Sequence, residues 1–412
     1  MSKVVKIGDI ASLKTGPFGT QFSAKEYTSE GIPVINVKNI GYGQVLENEL
    51  DYILESTRDR LSEHILKTGD IVFGRKGSVD RHAYISENYN GWVQGSDCIR
   101  LRFQEDVNTR YISHYLKLDH VKKQINHASI GSTMASLNTD ILKNIKIILP
   151  ELSVQNSIES ALSSLESKVD VNSKICFELE AMAKTIYDYW FVQFDFPDEN
   201  GKPYRTWGGE MVWNEQLKRE IPKGWEVGNL YSIADFINGL ACQKFRPKDG
   251  EKALPVIKIK EMHDGITAET EQVSEHIPSK HKIFDGDILF SWSATLEVMY
   301  WYGGSGGLNQ HIFKVNPKSY FPKEYVYEQL SSYIVNFVKM AEARKTTMGH
   351  ITTDHLEQSK IPLPPESLIK QFKEKIYPIH LKIGETKQEN RELKKLRDWL
   401  LPMLMNGQAR VE

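Results

Sequence analysis

One local pattern is written twice in this chain, and no other feature narrows its possible folds as much. The stretch "TMASLNTDILKNIKIILP" (Thr133–Pro150) returns 214 positions later as "TMGHITTDHLEQSKIPLP" (Thr347–Pro364). Thr, Met, Thr, Asp, Leu, Lys, Ile, Leu and Pro recur in register. Upstream signals repeat in the same order. "KIGDIASLKTG" (Lys6–Gly16) resembles "EVGNLYSIADFING" (Glu226–Gly239), and "IPVINVKNI" (Ile32–Ile40) resembles "LPVIKIKEM" (Leu254–Met262). "GDIVF" (Gly69–Phe73) returns as "GDILF" (Gly286–Phe290). The offset drifts only from 222 to 214, so the copies differ by short insertions. A period this long marks a duplicated domain, not a solenoid.

Within each copy, short apolar runs such as "IPVINV" and "CIRLRF" alternate with longer helical patterns. "NTRYISHYLKLDHVKKQI" reads as a helix capped by Asn108 or Thr109, and "PKEYVYEQLSSYIVNFVKMA" as its counterpart. The pattern predicts a compact α+β domain of about 140 residues, made twice.

A different pattern follows each copy. After Pro150, apolar residues fall at Ile158, Leu162, Leu165, Val169, Cys176, Leu179, Ala183, Ile186 and Trp190, with Asn172 in the polar slot. Alternating steps of four and three are a coiled-coil seam. After Pro364 the seam returns at Phe372, Ile376, Ile379, Ile383, Thr386, Asn390, Leu393, Leu400 and Leu404, with Arg397 in a slot beside Leu396. Residues 151–200 hold 3 basic and 10 acidic side chains, and residues 365–412 hold 10 basic and 7 acidic. To bury both seams on each other the helices must run antiparallel, acidic against basic. Asn172 then either faces Thr386 or is a tolerated polar slot without a partner. The expected organisation is a first domain at 1–150, a spacer helix at 151–192, a connector at 193–224, a second domain at 225–364 and a second spacer helix at 365–412. The fold expected is thus α+β, two similar α/β domains separated by two long antiparallel coiled-coil helices in a pseudo-two-fold arrangement.

The usual routes to catalysis are missing. No apolar run approaches the roughly 20 residues a membrane span needs, and the N-terminus has no signal-peptide core. Three widely spaced cysteines, Cys98, Cys176 and Cys242, suit a reducing cytoplasm and no zinc site. Gly201–Lys202 lacks the spacing of a phosphate-binding loop. "VNPKSY" (Val315–Tyr320) has Lys318 where an amino-methyltransferase would need a second proline to grip a flipped base. The chain is expected to be non-catalytic by itself.

Two similar domains at fixed separation suit a ligand that repeats in space, as duplex DNA does about every 34 Å. The framework words repeat while the adjoining tips diverge, as modules reading different half-sequences should. Candidate DNA-binding residues in the first copy are Arg75, Lys76 and Ser78 in a Gly-flanked loop, Gln94, and Ser132 and Thr133. In the second copy they are Ser291, Trp292, Asn309, Gln310 and His311, with Lys345, Thr346 and Thr347. Cations and amides reach phosphates and base edges. The competing readings are a plain surface pair for Arg75–Lys76 and turn formation for Gln94 and Gln310. A coiled-coil adaptor that bridges two proteins without touching DNA also fits the pattern.

Three stretches add a family resemblance: "LEAMAKTIYDYWFVQFDFP" (Leu179–Pro197), "MVWNEQLKREIPKGWE" (Met211–Glu226) and "LRDWLLPMLMNGQARV" (Leu396–Val411). They resemble the specificity subunit of type I restriction–modification systems, and the resemblance spans the chain. It implies two target-recognition domains that bind a bipartite, asymmetric DNA sequence, with the gap set by the helices. It also implies recruitment of two adenine-methylating subunits and, through that assembly, restriction subunits. S-adenosylmethionine, Mg and ATP would belong to those partners. The methylating subunits are expected against the helices at Tyr187, Tyr189, Phe191, Trp399 and Met403; self-packing of the helix ends is the other reading of these side chains.

Overall fold

A computed structural model describes residues 3–104, 106–129, 136–293, 295–343, 351 and 353–411. Residues 1–168 with 393–412 form one compact unit, and 169–392 form the other.

In the first unit an antiparallel four-stranded sheet runs in the order Ala11–Thr15, Cys98–Phe103, Ile71–Gly74, His82–Tyr84. A second sheet orders Tyr27–Thr28, Asp51–Ile53, Ile32–Ile35 and Val93–Gln94, with the last pair parallel. The helix predicted over 108–125 forms as two pieces, Thr109–Leu116 and Asp119–Ser129. Asn108 caps the first by accepting the Tyr111 N–H at 2.9 Å. Lys3–Lys6 pairs antiparallel with Lys146–Leu149, so the two ends of the repeated module close on each other.

The second unit repeats this plan. Its four-stranded sheet runs Ala234–Asn238, Ile312–Pro317, Ile288–Ser291, Glu297–Tyr300. Its mixed sheet runs Gln272–Ser274, Ala253–Ile257, Gly306–Leu308, Lys282–Ile283, and Glu226–Gly228 pairs with Ile361–Leu363. The "GDI" word has one job in both. Gly69 and Gly286 turn the chain at φ 89° and 84°. Asp70 and Asp287 then accept the N–H groups of Lys67 and Phe284 at 2.7 and 2.8 Å. Each carboxylate also holds a cation, Arg102 at 2.6 Å and Lys314 at 2.7 Å. The turn delivers the following apolar triplet straight into a central strand.

The long helices span Leu152–Tyr187 and Glu366–Met405. Every predicted seam position is buried or half-buried. Leu162 is fully covered in the first unit's core together with Leu404 and Met405, and a leucine covered to that degree contributes about 1.5–3 kcal/mol. Within the second unit the helices pair antiparallel. Cys176 Sγ approaches the Ile383 carbonyl at 3.9 Å, Lys387 meets Glu180 at 2.6 Å, and Asn390 donates to the Val169 carbonyl at 3.3 Å. Asn172 and Thr386 are both buried, but the Asn172 amide donates to Glu389 at 2.8 Å. The seam therefore carries a polar bond one turn away from the partner expected.

His82 is fully buried behind the sheet of the first unit, 2.9 Å from Ser113 Oγ and against the Phe73 ring. Burial first, then the nearby Lys117, lowers its pKa to about 3. A folded pKa below the unfolded value means that the unfolded chain binds the extra proton as pH falls. The contribution is complete above the unfolded value near 6.5 and is lost progressively below it. Going from pH 7 to pH 5 should cost about 2 kcal/mol through this residue. Urea melts of wild type and His82→Gln at both pH values check it; an equal pH dependence in the two would remove His82 as the source.

Candidate nucleic-acid interface

The two copies build the same backbone frame at the ends of their central strands. Arg75 follows strand Ile71–Gly74 and Trp292 follows Ile288–Ser291. The Arg75 N–H donates to the Asp97 carbonyl at 2.8 Å, and the Trp292 N–H to the His311 carbonyl at 3.3 Å. The Arg75 carbonyl accepts the Leu137 N–H at 2.9 Å, and the Trp292 carbonyl accepts the Ile351 N–H at 3.0 Å. Leu137 and Ile351 are equivalent positions of the repeated stretch. Close by, Gly16 and Gly239 donate to the carbonyls of Cys98 and Ile312 at 2.9 and 3.1 Å. A Cβ on Gly16 would stand 2.0 Å from the Gly95 carbonyl oxygen, and one on Gly239 would stand 2.1 Å from that of Asn309. Only glycine permits this crossing, which explains why "KTG" and "ING" end on it.

On that shared frame the side chains differ. In the first copy the Arg75 guanidinium lies over the Phe18 ring at 4.9 Å. Its Nε has no hydrogen-bond partner, and no carboxylate pairs with it among the described residues. Lys76 is exposed and sits 3.4 Å from Asp97, a pair of little weight at the surface. Ser78 is exposed at the loop tip. Nearby on the same module, the exposed Tyr42 is flanked by Arg81 at 5.3 Å and Lys122 at 4.7 Å from its ring. In the second copy Trp292 packs on His311 at 5.6 Å, and its indole N–H donates to Asn238 at 3.2 Å. The exposed His311 ring is 3.3 Å from the Gln310 amide, and Asn309 accepts the His311 N–H at 3.3 Å. Behind the first site Cys98 is fully buried, and burial pushes its thiol up to about 12, so it does not offer a nucleophilic thiolate. Cation-on-aromatic and amide-on-ring groups at strand ends can stack on bases and donate to phosphates or base edges.

Several expectations need correction. Gln94 is fully buried and spends its amide N–H groups on the carbonyls of Lys14 and Cys98 at 2.9 and 3.0 Å; it braces two strands and cannot reach a ligand. Ser291 is likewise buried, its hydroxyl donating to the Thr295 carbonyl at 2.7 Å. Asn309 is mostly buried and serves the turn. Ser132, Thr133, Lys345, Thr346 and Thr347 lie outside the described residues. Tyr187 and Phe191 are core side chains, both packed against Tyr325 and Phe372. Tyr189 and Trp399 are exposed at 41% and 59%, and Met403 is half-buried. Phe18 and Tyr42 escaped the sequence reading; the available signal was an aromatic beside glycine in an otherwise polar loop.

Among the described residues no helix is long and apolar enough to cross a membrane, and no His, Cys, Asp and Glu gather as a metal site. A duplicated α/β module on a shared backbone frame, each copy followed by a long seam-forming helix, defines a two-module protein with divergent tips. The model of the type I restriction modification DNA specificity domain matches residues 2–181 and again 222–395, and the chain belongs to this family. It is 23% identical to the type I restriction enzyme MjaIX specificity subunit of Methanocaldococcus jannaschii, over 100% of this chain and 94% of that one. It is also 23% identical to the HindI specificity subunit of Haemophilus influenzae, over 90% and 94%. The crystal structure of the S subunit of a type I restriction-modification system from M. genitalium superposes with a TM-score of 0.57 at 14% identity, covering 98% of this chain and 96% of that chain. This last likeness concerns the fold.

Proposed function

We propose that this chain binds a bipartite, asymmetric DNA sequence, one half per module, and brings adenine-methylating and restriction subunits to it. One observation carries the reading. Equivalent backbone positions, held by the same hydrogen bonds, present Arg75 and Phe18 in one copy and Trp292 and Ala241 in the other. A frame preserved while its tips change chemistry is suited to reading two different sequences. The gap between half-sites would follow from the spacer helices. The chain itself would supply no chemistry to the reaction; S-adenosylmethionine, Mg and ATP would be held by the partner subunits. Of the side chains first assigned to partner contact, Tyr189, Trp399 and Met403 keep that assignment, because their surfaces are at least partly open.

The test is co-expression with its methylating subunit, followed by genome-wide mapping of methylated adenines. Two short specified blocks around one fixed gap are expected. Methylation without any such motif would sink the reading and favour the adaptor.

A further inference from the structure

Residues 193–224 belong to neither the repeated module nor the long helices, and the family match leaves 182–221 outside. The segment is nonetheless built. Asp195 accepts both the N–H and the hydroxyl of Thr206 at 2.7 Å. Phe196 stacks between Tyr204 and Trp225 at 4.7 and 5.6 Å, and Met211–Asn214 forms a hairpin with Arg219–Pro222. Phe194 holds φ 65°, a region that bulky side chains avoid and that concentrates at functional sites.

The Phe194 ring supports a cation. The Arg219 guanidinium lies 4.6 Å over Phe194, and its Nε is buried with no hydrogen-bond partner. Burial, and then the like charge of Arg205, draw its pKa below the ordinary value. No carboxylate forms an ion pair with it among the described residues, whereas neighbouring Lys218 is held by Glu215 at 2.8 Å. Half-burying a cation without a counter-ion is unfavourable, and the stack on Phe194 is the contact that offsets it. Arg219 opens on a cavity of about 370 Å³ whose walls include Arg205, Phe194, Val192 and Trp213. Trp213 is 58% exposed.

The walls define the ligand. Two guanidiniums suit a planar carboxylate, which they can grip with paired N–H bonds. The Phe194 and Trp213 rings suit an apolar body beside it. Lys218 and Glu220 complete the walls; Lys218 is held by Glu215, which leaves Arg205 and Arg219 as the wall cations without an ion pair among the described residues. We propose that this connector pocket docks a partner-protein segment presenting an aspartate or glutamate next to an apolar residue. The proposal does not depend on the modules reading DNA.

The full-length chain is titrated with acetyl-Leu-Asp-amide, acetyl-Leu-Asn-amide and inorganic phosphate, following Tm and the Trp213 signal against Trp213→Phe. The aspartate probe should raise Tm by mass action and bind at least about tenfold more tightly than the asparagine probe, as expected for hydrogen bonds to a charged group. Arg219→Met should melt no lower than wild type and lose the response. Equal response to both peptides, response to phosphate alone, or an undiminished response in Arg219→Met would overturn the site. Should Arg219→Met fold poorly, Arg205→Ala, at an exposed position, decides: weakened aspartate binding supports the pocket, and unchanged binding overturns it.

Discussion

Arg75→Ala should weaken target-DNA binding by about 10- to 100-fold, the range for losing one bidentate base contact. Fold stability should change little, because the side chain makes no hydrogen bond or ion pair that the module relies on. Its only described partner is the Phe18 ring at 4.9 Å. That stack holds the planar guanidinium at one tilt, so less side-chain freedom is lost on binding. Arg75→Lys should therefore behave nearly as badly as alanine, and Phe18→Ala should lose part of the same affinity. Titrations of the methylating complex at several salt concentrations separate two roles. If Arg75 reads a base, the variant relaxes one position of the motif and keeps the salt slope. If it grips a phosphate, binding weakens on all sequences and the slope falls by about one. Unchanged affinity for Arg75→Ala together with Lys76→Ala would take this loop out of the interface.

The frame around Arg75 was legible in the sequence because it was written twice. Repetition marked Gly16 and Gly239, the "GDI" turns and the Leu137 and Ile351 neighbourhood, and backbone geometry gives each a reason. The seams were legible because period 3.5 is a local signal. What failed was exposure, which non-local pairing decides. Gln94 ends a strand of only two residues, Val93–Gln94, too short for alternation to tell inside from outside. Its burial comes from parallel pairing with Ile32–Ile35, nearly sixty positions earlier. Ser291 stands just past the repeated "GDILF" word, where the copies diverge, yet the strand extends through it. Tyr187 lies one turn after Ala183 on the same buried helix face, and Phe191 is buried for another reason. After Tyr187 the helix widens into a π-turn over Asp188–Val192, which turns less per residue than an α-helix and so shifts the face that the following side chains occupy. The turn carries Phe191 onto the Phe372 ring at 4.8 Å, while Tyr189 stays outside.

Inserting one heptad beside Asn172 and a matching heptad beside Thr386 should lengthen the unspecified gap and leave both half-sequences intact. Seven helical residues add about 10 Å, close to 3 base pairs of duplex at 3.4 Å each. A heptad restores the seam face, so Cys176–Ile383 and Lys387–Glu180 contacts can re-form on the far side of the insertion. An insertion in one helix alone should abolish site-specific methylation, since it throws Asn390 out of reach of Val169 and Asn172 out of reach of Glu389. The matched variant also meets an opposing effect. Three base pairs rotate the second half-site by about 100° around the duplex, and that rotation must be absorbed as DNA twist. Activity should therefore fall overall while the preferred gap moves. Methylation mapping distinguishes the outcomes: a longer gap at reduced yield supports the spacer as the ruler, whereas an unaltered gap would mean that the modules set their own separation on DNA.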